Sequence, residues 1–92
     1  MAIGAHFTNH KFPPASYDKA IAELTAAGHG APAGRIEHFA LLGDNGDIIV
    51  FDIWESPEAL EAFGSALIPV LTGLGVELVA PTITPLHNRI SS

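Results

Sequence analysis

The sequence predicts an α+β domain of order β-α-β-β-α-β, with a four-stranded antiparallel sheet and two helices on one face. Three observations carry that expectation. Ile48 to Trp54 is β-branched and aromatic and runs straight into Ser56-Pro57-Glu58, a strand ending at a marked helix start. Asn45-Gly46 lies between two apolar runs, where Asn and Gly tolerate the positive φ angles of a tight hairpin. Residues 17–27 carry apolar side chains at the three-and-four spacing of one buried helical face.

In chain order, Ala2 to Thr8 reads as a first strand, closed by Pro13-Pro14, which fits neither a central strand nor a helix interior. Ser16 is the expected cap of a first helix that buries Tyr17, Ala20, Ile21, Leu24 and Ala27 and ends at Gly28 and Gly30. Arg35 to Leu42 alternates as a second strand, and the Asn45-Gly46 turn makes it the antiparallel neighbour of Ile48 to Trp54. Ser56, with Pro57 at the first helical position and Glu58 and Glu61 near the positive helix end, opens the second helix. Pro69 removes a backbone donor inside that helix, which predicts a kink or a break into a second short helix over about 68–74. Thr82 to Ile90 is the expected last strand, irregular or at an edge because of Pro85. This is the ferredoxin-like arrangement, in a single domain spanning residues 1–92.

Two helices cover one face of a sheet, yet both faces are apolar: Ile49, Phe51 and Ile53 alternate with Ile48, Val50 and Trp54. In a chain of 92 residues with 48% hydrophobic and 15% charged residues, the expected cover is another copy, so a homodimer or higher homo-oligomer is predicted. A formal charge of −6 with only four Lys and Arg leaves no basic stripe, which argues against nucleic acid or an anionic membrane as partner. The absence of cysteine excludes disulfides, thiolate metal sites and a Cys nucleophile. No apolar stretch approaches the ~20 residues of a membrane span and no secretory leader is seen, so a cytoplasmic protein is expected by default. Calcium-loop, phosphate-loop and nucleophile-elbow patterns are missing.

Five histidines beside four permanent cations are the chemical anomaly, since imidazole is suited to moving protons near neutral pH. His6, His38 and His87 fall in predicted strands, and Asp52 and Trp54 share one face of the third strand. If the faces coincide, His6, His38, Asp52, Trp54 and His87 line one cavity, with an imidazole base oriented by Asp52 acting on an acidic C–H or O–H of an aromatic or polyketide-like compound. Trp54 would then either stack a planar ligand or simply pack as a core or pocket-wall residue. The alternatives are hydrogen-bonded sheet or interface histidines, or a three-imidazole metal site, although no local ligand motif joins the three. His10 and His29 read as solvated loop residues.

The segment Trp54-Glu55-Ser56-Pro57-Glu58-Ala59-Leu60-Glu61-Ala62-Phe63, the element order and the closing Leu86-His87-Asn88-Arg89-Ile90 resemble the dimeric α/β-barrel superfamily, and within it the small antibiotic-biosynthesis-monooxygenase type proteins. The resemblance covers roughly residues 36–90. It implies two subunits packed sheet to sheet, each with a pocket between its own sheet and helices. Phe63, Leu67 and Leu71 would border that pocket. Activities in the family include cofactor-free quinone-forming oxygenation, haem degradation, polyketide cyclisation and isomerisation. Haem-degrading members carry a His in the middle of the second helix and a Trp near its start, where this chain has Ile68 to Thr72 and Phe63. The cofactor-free monooxygenases hold a phenolic substrate with an Asn on the first strand, a helix Trp and an Arg; here Asn9 ends the first strand and Phe63 stands in the Trp place. The resemblance implies a cofactor-independent monooxygenase, or a cyclase or isomerase, acting on a small hydrophobic ligand with no cofactor and no metal. A non-catalytic ligand-binding or stress-type assembly module is the alternative.

Overall fold

A computed structural model describes residues 1–8 and 11–91. Asn9 and His10 lie outside them. The elements are β1 (Ile3–Phe7), α1 (Pro14–Ala26), β2 (Arg35–Leu42), β3 (Ile48–Trp54), α2 (Pro57–Gly73) and β4 (Thr82–Pro85). They form one open sheet of order β2-β3-β1-β4, antiparallel at every pairing, as the ferredoxin-like arrangement requires.

The hairpin forms where the sequence places it. Gly46 donates to the Gly43 carbonyl at 3.0 Å, Gly43 donates to Asp47 at 2.9 Å, and Gly46 takes a φ of +87°, a conformation costly for residues with a Cβ. Asp47 also fixes the approach to α1, since its carboxylate accepts from the Phe12 amide at 2.9 Å while Ile48 donates to the Phe12 carbonyl at 2.8 Å. At α2, the Ser56 hydroxyl accepts from the Ala59 amide at 3.1 Å with Pro57 at the first position, as expected.

Three boundaries differ from expectation. The first helix starts at Pro14 rather than after Ser16: Pro13 occupies the cap position and accepts from the Tyr17 amide at 3.0 Å, and the fixed φ of proline presets the first turn. The second helix passes through Pro69 unbroken to Gly73. Pro69 and Ser65 are both exposed, so water can satisfy the carbonyl that proline deprives of a partner. The last strand ends at Pro85, which is tolerated because its nitrogen faces the open edge of the sheet; Leu86 still donates to the Ala2 carbonyl at 2.9 Å, and His87 to Ile90 continue as exposed irregular chain.

The core lies between the sheet and the helices in two clusters. One joins Ile3, Ala5, Leu24, Trp54 and Phe63, and the other joins Phe12, Ala20, Ile48, Val50 and Val76. On the opposite face of the sheet, Phe39 and Leu41 stay exposed beside the half-buried Phe51. Among the described residues no helix is long and apolar enough to cross a membrane.

Candidate functional site

The strand register decides which of the candidate residues meet. Ala5 pairs with Asp52, and Asp52 with His38, so these three share the helix-facing side, while His6 pairs with Phe51 on the other side. His38, Asp52 and Trp54 are brought together by hydrogen bonds, and of the three His38 and Asp52 line the cavity. His6 does not join them: it is exposed on the outer face, with its ring edge-on to Phe51 at 4.6 Å between centroids. The physical reason is the period of two along β1, which buries Ile3 and Ala5 and turns position 6 away. His87 lies beyond β4 and is exposed, so the three strand histidines are never brought to one point.

His38, Asp52, Trp54 and one residue the sequence reading left in the helix core build a hydrogen-bonded line. The Tyr17 hydroxyl lies 2.7 Å from His38 Nε2, and His38 Nδ1 lies 2.6 Å from Asp52 Oδ1. Trp54 Nε1 donates to Asp52 Oδ2 at 3.3 Å. An ionised carboxylate only accepts, which assigns the Nδ1–H to the bond with Asp52 and leaves the Nε2 lone pair to accept the phenolic proton of Tyr17. The Tyr17 and His38 rings are nearly parallel, 2° apart. Asp52 is buried and Trp54 wholly so, and among the described residues no buried side-chain polar atom lacks a partner. Burial pushes the Tyr17 phenol above its ordinary value, the carboxylates of Asp52 and Asp18 push the same way, and Arg35 opposes them. The phenol is therefore a neutral donor at physiological pH.

Tyr17 and His38 open into a cavity of about 600 Å³ between the sheet and both helices, bounded by members of both core clusters. Phe63, Leu67 and Leu71 line it at the spacing of one face of α2. Trp54 does not line it. Its indole packs in the core against Phe63, 5.5 Å between centroids, and supports Asp52 instead of offering a stacking wall.

Arg35 also lines the cavity, and alternation by itself would hide it, since residues 35 and 38 should point to opposite faces. A register irregularity between Arg35 and Glu37 inserts an extra residue, so Arg35 pairs with Trp54 while His38 pairs with Asp52, and both face inward. The guanidinium donates to the Gly30 carbonyl at 3.1 Å and lies 5.9 Å from the centre of the Phe63 ring, and among the described residues it has no carboxylate partner. The only sequence signal for Tyr17 was its place on the buried face of α1, which reads equally as packing.

Several solved structures share this fold. A cofactor-independent oxygenase from Streptomyces nogalater, SnoaB, aligns over 99% of this chain and 96% of its own at 19% identity and a TM-score of 0.63. A protein from Deinococcus radiodurans, assigned as an antibiotic biosynthesis monooxygenase, aligns over 100% and 98% at 13% identity and a TM-score of 0.62. The monooxygenase ActVA-Orf6 of Streptomyces coelicolor, solved with Nanaomycin D, aligns over 99% and 91% at 18% identity and a TM-score of 0.54. No protein-family model and no curated protein matches the chain. The chain thus shares the ferredoxin-like fold of these proteins.

Proposed function

We propose that the chain is a monooxygenase-like enzyme that takes a small aromatic or polyketide-like metabolite into the cavity and withdraws a proton from it through Tyr17, His38 and Asp52. The observation that carries this reading is the hydrogen-bonded line itself, ending at a phenol on the wall of an apolar cavity. The Tyr17 oxygen accepts an acidic O–H or C–H proton of the ligand while its own proton passes to His38 Nε2, and the Asp52 carboxylate offsets the imidazolium charge. Arg35 lies on the same cavity wall to stabilise the ligand anion. That anion is electron-rich enough to reduce dioxygen directly. For a phenol with hydrogen at its para carbon, phenol plus O2 gives quinone plus water, with all four electrons drawn from the substrate.

A homodimer belongs to the same reading. The exposed Phe39 and Leu41 beside Phe51 on the outer face of the sheet are what a second copy, packed sheet to sheet, would bury.

The test is oxygen uptake with a panel of activated phenols and anthrones, using the wild type, Tyr17→Phe and His38→Ala. The expected result is a fall in kcat of about 10²–10⁴-fold in His38→Ala with the circular-dichroism spectrum retained. Unchanged turnover in both variants overturns the relay. Ligand binding without any turnover replaces the enzyme with the alternative, a non-catalytic ligand-binding module.

A further inference from the structure

Asp52 fixes the tautomer of His38 only as well as its own carboxylate is fixed. The last torsion of an aspartate is a broad sp³–sp² one, as is that of a histidine, so neither group is held by local preference. The sheet supplies the restraint from two directions. His38 is the register partner of Asp52 on β2 and meets Oδ1 across the ladder at 2.6 Å. Trp54 lies two residues further along β3, on the same face, and its Nε1–H donates to Oδ2 along the strand at 3.3 Å. The indole is itself locked: it is wholly buried, its backbone pairs with Ile3 on one side and Arg35 on the other, and its ring packs against Phe63 at 5.5 Å between centroids. Yet Trp54 does not line the cavity, so it acts there only through Asp52.

We infer that Trp54 is a positioning residue for the relay: by holding Oδ2 it turns Oδ1 toward His38 Nδ1, keeps the imidazole as the Nδ1–H tautomer and leaves the Nε2 lone pair facing Tyr17. The inference rests on the proton relay in the reading above and adds what sets its direction. With the indole N–H gone, the carboxylate loses its two-point hold, and the buried Oδ2 is left to compete with Oδ1 for the one remaining donor. The Nε2–H tautomer then becomes populated. In that form His38 donates to the Tyr17 oxygen instead of accepting from it, and the phenol has no base to take its proton. The loss falls on proton transfer and spares ligand binding, because the cavity wall is unchanged.

The chain has one tryptophan, so biosynthetic replacement of tryptophan changes position 54 alone. Benzothienylalanine keeps the shape of the indole but carries sulfur where the N–H was, and a ring-fluorinated tryptophan keeps the N–H. Both fill the same space, so both variants are expected to fold, and a thermal melt confirms it first. Ring-nitrogen chemical shifts of isotope-labelled histidine report the tautomer in the ligand-free protein, the His38 signals being assigned by their loss in His38→Ala. The expected result is the Nδ1–H tautomer in the wild type and the fluorinated variant, and a mixture of tautomers in the benzothienyl variant. On any phenol the wild type oxidises, the benzothienyl variant is expected to lose roughly 10–100-fold in kcat with KM unchanged. An Nδ1–H tautomer undisturbed by benzothienylalanine, or an Nε2–H tautomer already present in the wild type, overturns the inference. So does an equal change in the fluorinated variant, which makes packing the cause instead of the N–H. A wild type that oxidises no phenol overturns the enzyme reading, while the tautomer shifts still decide the role of Trp54.

Discussion

Replacing Asp52 by Ala tests the relay as a structural unit. Its carboxylate is the acceptor for two donors, His38 Nδ1 at 2.6 Å and Trp54 Nε1 at 3.3 Å. The indole is wholly buried, so its N–H loses its partner with no water to replace it, at a cost of about 1–3 kcal/mol. The imidazole is half-buried and can turn toward solvent, which adds about 1 kcal/mol. The sum is about 2–4 kcal/mol, a fall in Tm of roughly 8–30 °C for a domain of this size. Trp54 is the only tryptophan, so its fluorescence reports unfolding directly; protein concentration is held constant throughout because self-association would raise apparent stability. Asp52→Asn keeps an acceptor oxygen for one donor and is expected to lose less than Asp52→Ala. Trp54→Phe deletes the orphaned N–H, so Asp52→Ala costs less in that background, with a coupling of about 1–2 kcal/mol. A Tm for Asp52→Ala within about 2 °C of wild type, or no coupling to position 54, refutes the reasoning.

Two further outcomes follow from the same geometry. Gly34 takes a φ of +85°, and a Cβ there would meet the Ala59 Cβ at 2.6 Å, whereas Gly28, at +86°, has nothing within 4 Å. Gly28→Ala is expected to cost about 1 kcal/mol from the backbone and Gly34→Ala at least twice that, measured by urea unfolding; equal costs refute the steric argument. Tyr17 is the only tyrosine, so ultraviolet absorbance titrates it alone, and its midpoint is expected above the ordinary value of 10.0. Because the folded pKa is the higher one, the unfolded chain gives up its phenolic proton first. The contribution of Tyr17 to stability is whole below pH 10 and is lost as pH rises through the raised folded value. A midpoint at or below 10.0 contradicts the burial of the phenol.

Local chemistry determined much of this protein before any long-range contact was known. The Asn45-Gly46 hairpin, the Ser56-Pro57 helix start and the order of elements depend on neighbours in the chain, and they appear where the residues place them. So do Phe63, Leu67 and Leu71 along one face of a helix, because a period of 3.6 is a local property. The grouping of site residues was not legible in the same way. Alternation assigns each strand residue to one of two faces but leaves open which faces coincide, and only the pairing of Ala5 with Asp52 and of His6 with Phe51 separates His6 from His38. Arg35 reaches the cavity through an irregularity in register that no parity rule foresees, and Tyr17 reaches it because packing lays α1 across the sheet beside His38. Pro69 reads as a helix breaker, and it is tolerated because that turn of α2 faces water, a matter of exposure decided by the whole fold. Turns, caps and periodicity are set by residues a few positions apart; register, depth and the convergence of polar groups are set by contacts across the chain, which only the tertiary structure supplies.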